Sequence, residues 1–211
     1  MLDTDHLSDE DLVALASNGD EKALTLLFDR HRDRLRRLIA LRMDSRVQAR
    51  VDASDVLQEA YLDLIHQLPN FVKGSPLPFF LWLRRITGQR LAKLHRTHLG
   101  AEKRSVSREL SVDAKPMPAL SSFCLANELA GQFTSAGERA VREESKVKLQ
   151  AVLNELDEKD REILALRHFE QLDNREIATL LGVSESAATR RYYRALSRLR
   201  SELRTIPGLL D

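Results

Sequence analysis

The sequence predicts an all-α protein of two small helical domains joined by a long linker, and three observations carry that reading. Hydrophobic residues make up 43% of the 211 positions while aromatics make up 5%, and Gly (8) and Pro (6) are few, a balance that suits Leu-rich helices rather than strands and tight turns. Apolar residues recur at three- and four-residue steps before residue 98 and again after residue 146. Between these stretches the apolar residues keep no sustained period, Ser and Ala are frequent, and Pro116 and Pro118 exclude a long helix, although local helix fits there. The expected boundaries are 1–98 for the first domain, 99–145 for the linker and 146–211 for the second domain.

From Ser8 to Met43 the set Leu12, Leu15, Leu24, Leu27, Phe28, Leu35, Leu38 and Ile39 marks two helices, separated at Asn18-Gly19-Asp20. Val56, Leu57, Ala60, Tyr61, Leu64, Ile65 and Leu68 form one helical stripe over Ser54 to Leu68. Pro69, Gly74, Pro76 and Pro78 are expected to break the chain before a further helix, in which Phe79, Phe80, Trp82, Leu83, Ile86, Leu91 and Leu94 pack back on the earlier ones. The second domain opens on Leu149, Val152, Leu153 and Leu156. It continues in a helix bearing Ile163, Leu164, Leu166 and Phe169, with Asp157 as its expected cap.

A lone Cys124 makes no internal disulfide and supplies at most one metal ligand, so a stapled scaffold and a Cys-based zinc site both drop out. The longest stretch free of charge, Pro116 to Asn127, is 12 residues, against the roughly 20 that a membrane-spanning helix needs. The acidic opening Met-Leu-Asp-Thr-Asp lacks the basic start of an export signal, so a cytoplasmic protein without membrane insertion is expected. The net charge of +1 conceals strong patterning. Residues 1–29 hold eight acids and one Lys, and residues 30–50 hold eight Arg and two Asp. Residues 84–108 carry eight Lys or Arg against one Glu, and residues 190–204 carry six Arg against one Glu, which makes these the candidate phosphate-facing surfaces.

Leu172 to Ala188 has the parts of a helix-turn-helix. Asp173 and Glu176 form a capping-box pair, Ala178 is small where two helices approach, Gly182 suits a left-handed helix end, Val183 plugs the angle and Ser184 caps the second helix. With Ala188, Tyr192, Ala195, Leu196 and Leu199 inward, that helix turns Ser186, Thr189, Arg190, Tyr193, Arg194 and Ser197 outward, the hydroxyl and guanidinium groups that meet base edges and phosphates. In the first domain, Asp55, Gln58, Leu62, Asp63 and His66, flanked by Glu59, give an acidic, amide-bearing face suited to a protein partner. The aromatic run 79–83 beside Arg84, Arg85, Arg90, Lys93 and Arg96 offers a place for unstacked bases, with Trp82 itself favoured as core. No phosphate loop, paired catalytic acids or Cys-His pair is recognisable, so catalytic residues, metal and cofactor are all expected to be none.

Together these motifs resemble the sigma-70 family of bacterial RNA polymerase specificity factors in its two-domain extracytoplasmic-function (group 4) form. Gly19-Asp20 with Ala23 and Leu27 is similar to the start of the family's region 2, and Asp55, Gln58 and Glu59 fit its D-x-x-Q-E polymerase-binding helix. Trp82-Leu83 with Ile86 fits W-L-x-x-I in its melting helix. Glu176-Ile177-Ala178, Leu181-Gly182, Ser184, Arg191, Arg194-Ala195-Leu196 and Leu199 fit region 4. The resemblance implies a non-enzymatic subunit whose partners are core RNA polymerase and promoter DNA, with an anti-sigma factor or other regulator as a further candidate. It implies polymerase binding by Asp55, Gln58, Glu59 and Asp63, contact with the −10 element by Arg85, Gln89, Arg90, Lys93 and Arg96, and contact with the −35 element by Ser186, Thr189, Arg190, Arg191, Tyr193 and Arg194. Gln89 stands where the family commonly has Asn, and Ala187-Ala188 where it often has Thr-Val. The alternative is a stand-alone helix-turn-helix regulator whose N-terminal domain senses a signal or dimerises.

Overall fold

The computed structural model describes residues 6–99, 117–133 and 139–204, with side chains omitted at 99, 130–133 and 139–145. The chain divides into two units, Met1–Pro118 and Ala119–Asp211. All regular elements among the described residues are helical.

In the first unit, α1 (Asp9–Ser17) and α2 (Glu21–Arg42) are joined through Gly19, whose φ of 92° lies where a side chain is disfavoured. Each start is capped from the sequence: Ser8 and Asp11 form a capping box on α1, and the Asp20 carboxylate accepts the Lys22 and Ala23 N–H groups of α2. A short α3 (Ser45–Gln48), capped by Asp44, leads to α4 (Ala53–Val72) and α5 (Phe79–Leu99). The core between α2, α4 and α5 contains Leu27, Leu35, Leu38, Ile39, Leu64, Leu83, Ile86 and Leu91, all within 1% of full burial. Each such side chain contributes about 1.5 to 3 kcal/mol of transfer free energy.

Pro69 does not end its helix as expected; α4 continues to Val72. The missing N–H costs one hydrogen bond, and the last turn is held instead by Phe71, whose ring lies 4.8 Å from Trp82 and 5.5 Å from Phe79. Trp82, Phe79 and Phe80 are core at 3%, 6% and 3% exposure, so these rings do not form an open platform for bases. Buried His31 packs near Phe79 and Phe80 while its Nε2 lies 2.8 Å from Asp9 of α1, tying α1 to the bundle.

In the second unit, α6 (Ser122–Phe133) packs on α7 (Arg139–Glu155), followed by α8 (Glu158–His168), α9 (Asn174–Leu181) and α10 (Glu185–Leu203). Helices α6 and the start of α7 fall within the stretch read as linker from sequence. There the buried residues Cys124, Leu125 and Ala126 are contiguous, so no three-four period announces the helix, and its first turn is fixed by Ser121 accepting the Cys124 N–H at 3.2 Å. Residues 100–116 of that stretch, with Ser105, Ser107 and Ser111, lie outside the described residues. Asp157 does sit at the start of α8, but its carboxylate makes no cap bond; it pairs with Arg198 of α10 at 3.2 Å. Among the described residues no helix is long and apolar enough to cross a membrane.

Candidate nucleic-acid and docking surfaces

The α9–α10 pair is built by local hydrogen bonds that its sequence encodes. Asp173 accepts the Glu176 N–H at 2.7 Å while Glu176 accepts the Asp173 N–H at 2.9 Å. Gly182 ends α9 at φ 63°, the Val183 N–H returns to the Ala178 carbonyl at 3.0 Å, and Ser184 accepts the Ala187 N–H at 3.2 Å to start α10. Ala188, Ala195, Leu199 and Leu203 face inward on α10. Ser186, Arg190, Tyr193 and Arg194 are exposed, Tyr193 at 63%, and their spacing at 186, 190, 193 and 194 places them on one side of the helix.

Two predicted members of that surface are more enclosed. Thr189 is half-buried; its hydroxyl accepts a hydrogen bond from the Asn174 side chain at 2.8 Å and donates to the Glu185 carbonyl at 2.9 Å. Arg191 is also half-buried. The orientation of α10 is held from behind by Tyr192, expected inward, and by His168, Asp160 and Arg198, to which the sequence assigns no role. The Tyr192 hydroxyl shares a 3.0 Å hydrogen bond with His168 Nε2, and burial, assisted by nearby Arg167, pushes the His168 pKa below its ordinary value. Arg198 reaches the buried Asp160 at 2.9 Å, tying the far half of α10 to the first turn of α8. Asp160 and Arg198 lie 38 positions apart, and no local pattern signals such a pair.

On α5, Arg85, Lys93 and Arg96 are exposed and Gln89 half-exposed, at steps of four, four and three that make one stripe. Arg84 is buried. Arg90 lies off the stripe and turns toward α4. Its Nε and Nη2 donate to Asp63 at 2.8 and 2.6 Å, and its Nη1 reaches Glu59 at 3.0 Å. The Asp63 hydrogen bonds push the Arg90 pKa further above its ordinary value, against the opposing effect of burial, with Glu59 adding to the upward shift. The structure thus brings together three residues that the sequence reading had divided between two surfaces.

On α4, Asp55, Gln58, Glu59 and His66 are exposed and Leu62 is 48% exposed. Asp55 also completes a capping box, accepting the Asp52 N–H at 3.2 Å. Beside Gln58 and Leu62 lies a shallow cavity of about 370 Å³, bordered by Tyr61 and by Arg32 and Arg36 of α2. The charge reversal after residue 29 marked those arginines as a basic run, but only the packing of α2 on α4 sets them beside the stripe.

Two helical modules, one carrying a capped helix-turn-helix with an outward cationic stripe, define a DNA-binding protein of the transcriptional class. The family models "Sigma-70 region 2" and "Sigma-70, region 4" match residues 27–98 and 146–199. RNA polymerase sigma factor NccH of Alcaligenes xylosoxydans xylosoxydans is 30% identical over 207 residues, covering 96% of this chain and 98% of NccH. ECF RNA polymerase sigma factor SigD of Mycobacterium tuberculosis is 28% identical over 192 residues, covering 91% of this chain and 82% of SigD. Among solved structures, CnrH in complex with the cytosolic domain of CnrY shares the fold with a TM-score of 0.55 at 23% identity, over 93% of this chain and 97% of CnrH. The chain belongs to the sigma-70 family of RNA polymerase sigma factors, in the extracytoplasmic-function form. Its function is that of a sigma factor in promoter recognition and transcription initiation, with core RNA polymerase and promoter DNA as partners. Because the matches span both modules, the stand-alone regulator is set aside.

Proposed function

We infer that this sigma factor docks on core polymerase through the outward stripe of α4, addresses the −10 element with α5 and reads the −35 element with α10. The observation that carries the reading is the stripe on α10: Arg190, Tyr193 and Arg194 project from a helix whose start is capped by Ser184 and whose rear face is bonded to α8. Such a helix can enter a major groove without rearranging its support. On α5, Arg85, Lys93 and Arg96 supply cations at a spacing suited to a nucleic-acid backbone, and Gln89 supplies an amide for a base edge. Unstacking bases at −10 costs a few kcal/mol per step, offset by capture on the protein and by backbone contacts.

In this reading the domains are 1–98 and 146–211 joined by 99–145, and the protein acts in the cytoplasm without catalysing a reaction of its own. The solved relative CnrH is in complex with a second protein, and a regulator of the anti-sigma kind is a further partner here. Reconstitution with core polymerase, followed by sequencing of run-off transcripts from genomic DNA, tests class and consensus together. Transcripts that start without a shared upstream element would reject the reading.

A further inference from the structure

The Arg90 fork joins the two surfaces of the first unit, and its geometry has consequences for both. All three guanidinium nitrogens are committed to α4: Nε and Nη2 to Asp63 at 2.8 and 2.6 Å, and Nη1 to Glu59 at 3.0 Å. At most three of its five N–H donors are used in this way, but the fork fixes the direction of the group and sets its charge against two carboxylates, with which a phosphate would have to compete. Arg90 is nevertheless one residue beyond Gln89 and three before Lys93, so rotation of its own side-chain torsions would bring the charge to the edge of the α5 stripe with the helix unmoved.

The carboxylates are not equally enclosed: the Glu59 side chain is 52% exposed, that of Asp63 22% and that of Arg90 23%. An incoming cation therefore meets Glu59 first. Asp63 is enclosed enough that losing Arg90 without a replacement would be costly, which favours exchange of cations over spontaneous release.

We propose that this fork is a latch between docking and DNA capture: in the free chain Glu59 and Asp63 hold Arg90 away from nucleic acid, and a Lys or Arg side chain on core polymerase takes its place, freeing Arg90 for phosphate beside Lys93. The latch rests on the reading of α4 as docking face and α5 as −10 face. It specifies the chemistry of the polymerase contact, a cation opposite Glu59 and Asp63. It also makes Arg90 a competitor of polymerase and a helper of DNA. By linkage, whatever strengthens the fork weakens both docking and DNA capture.

The test is Arg90→Ala in the full chain, read twice. Affinity for core polymerase should rise roughly 5-fold or more, because the carboxylates no longer carry an internal cation, while binding of the resulting holoenzyme to a labelled single-stranded −10 oligonucleotide from a mapped promoter should fall by a similar factor. A fork that merely clamps α4 to α5 would instead lower both affinities or leave both unchanged, and either result overturns the latch. Asp63→Asn supplies the second variant. It should tighten oligonucleotide binding by the free chain several-fold, and the gain should vanish in the Asp63→Asn, Arg90→Ala double variant; no gain, or a gain that survives without Arg90, overturns the latch as well. Gln58→Ala and Lys93→Ala separate this failure from failure of the parent reading. If they weaken core docking and DNA binding respectively while the Arg90 results go the wrong way, only the latch is lost. If neither has an effect, the surfaces themselves are misassigned.

Discussion

Arg190 and Arg194 stand on the same outward face of α10, yet their positions give them different work. Arg190 lies in the second turn from the Ser184 cap, nearer the end that in the proposed reading would enter the groove, whereas Arg194 lies one turn further along. Arg190→Ala should cost about 1 to 3 kcal/mol and relax preference at particular −35 positions, as expected when a guanidinium reads a base edge. Arg194→Ala should weaken all promoters alike and reduce the salt-dependence slope by about one unit, the mark of a phosphate contact. Promoter binding by holoenzyme at several salt concentrations, on matched and altered −35 sequences, measures both; equal losses on every sequence for both variants would reject base reading by Arg190. Tyr193, 63% exposed, offers both a hydroxyl for contact and a ring face for packing on the backbone sugar. Thr189 is different again. Its hydroxyl is already bonded to Asn174 and to the Glu185 carbonyl, so in this structure it links α9 to α10.

Element by element, what could be read from the sequence follows the range of the interactions that make it. The turn at Asn18-Gly19-Asp20, the capping box at Asp173 and Glu176, and the left-handed Gly182 depend on residues within four positions of one another, and all three stand where sequence puts them. The continuation of α4 past Pro69 and the extent of α6 are not legible in the sequence because each is decided by packing: Phe71 on Trp82 in one case, buried Cys124, Leu125 and Ala126 in the other. In the candidate site the outward residues of α10 and α4 follow from helical period, whereas the Arg90 fork and the His168–Tyr192 bond need two helices placed side by side. Gly182→Ala tests a local element: no atom lies within 4 Å of the added Cβ, so the cost is that of a left-handed backbone alone, about 1 to 2 kcal/mol, seen as a lowered thermal midpoint. His95 tests a packed one. Its Nε2 accepts the Asp44 N–H at the start of α3, and burial, with Arg46 adding to it and Asp44 partly offsetting it, holds its pKa below 6.5. Below pH 6.5 the unfolded chain binds a proton that the folded chain refuses, so stability should fall as pH drops through that window toward the folded value. His168 shifts in the same direction. Thermal unfolding at about pH 7.5 and 5.5 should show a smaller acid loss in His95→Gln than in the unaltered protein; an identical loss would remove His95 from the account.

At the scale of the whole molecule, near-neutral charge is compatible with DNA binding because the cations are sorted by surface. The chain carries 33 Lys plus Arg against 32 Asp plus Glu, yet the α10 stripe is basic while α4 presents Asp55, Gln58 and Glu59. Opposite signs on separate helices let one protein meet a polyanion on one surface and a cationic protein face on another. The docking surface must be tested with residues whose loss leaves the bundle intact, and this excludes Asp55, since its carboxylate caps α4 through the Asp52 N–H and its removal would fray the helix. Gln58 and Leu62 meet the requirement: both are exposed, one helical turn apart, and both border the cavity that Arg32 and Arg36 complete. In the proposed docking, Leu62 at 48% exposure would be the apolar anchor, with Arg32 and Arg36 suited to acidic groups of the partner and Glu59 and Asp63 suited to its cations. The double variant Gln58→Ala, Leu62→Ala should keep its helical circular dichroism and thermal midpoint while core-polymerase affinity falls at least roughly 10-fold, the loss of one anchor of about 1.4 kcal/mol or more. Binding to core should be measured by titration of labelled sigma factor, with Arg32→Glu, Arg36→Glu as a charge-reversed companion expected to weaken docking further. Unchanged affinity in both variants would move the docking surface off this side of α2 and α4.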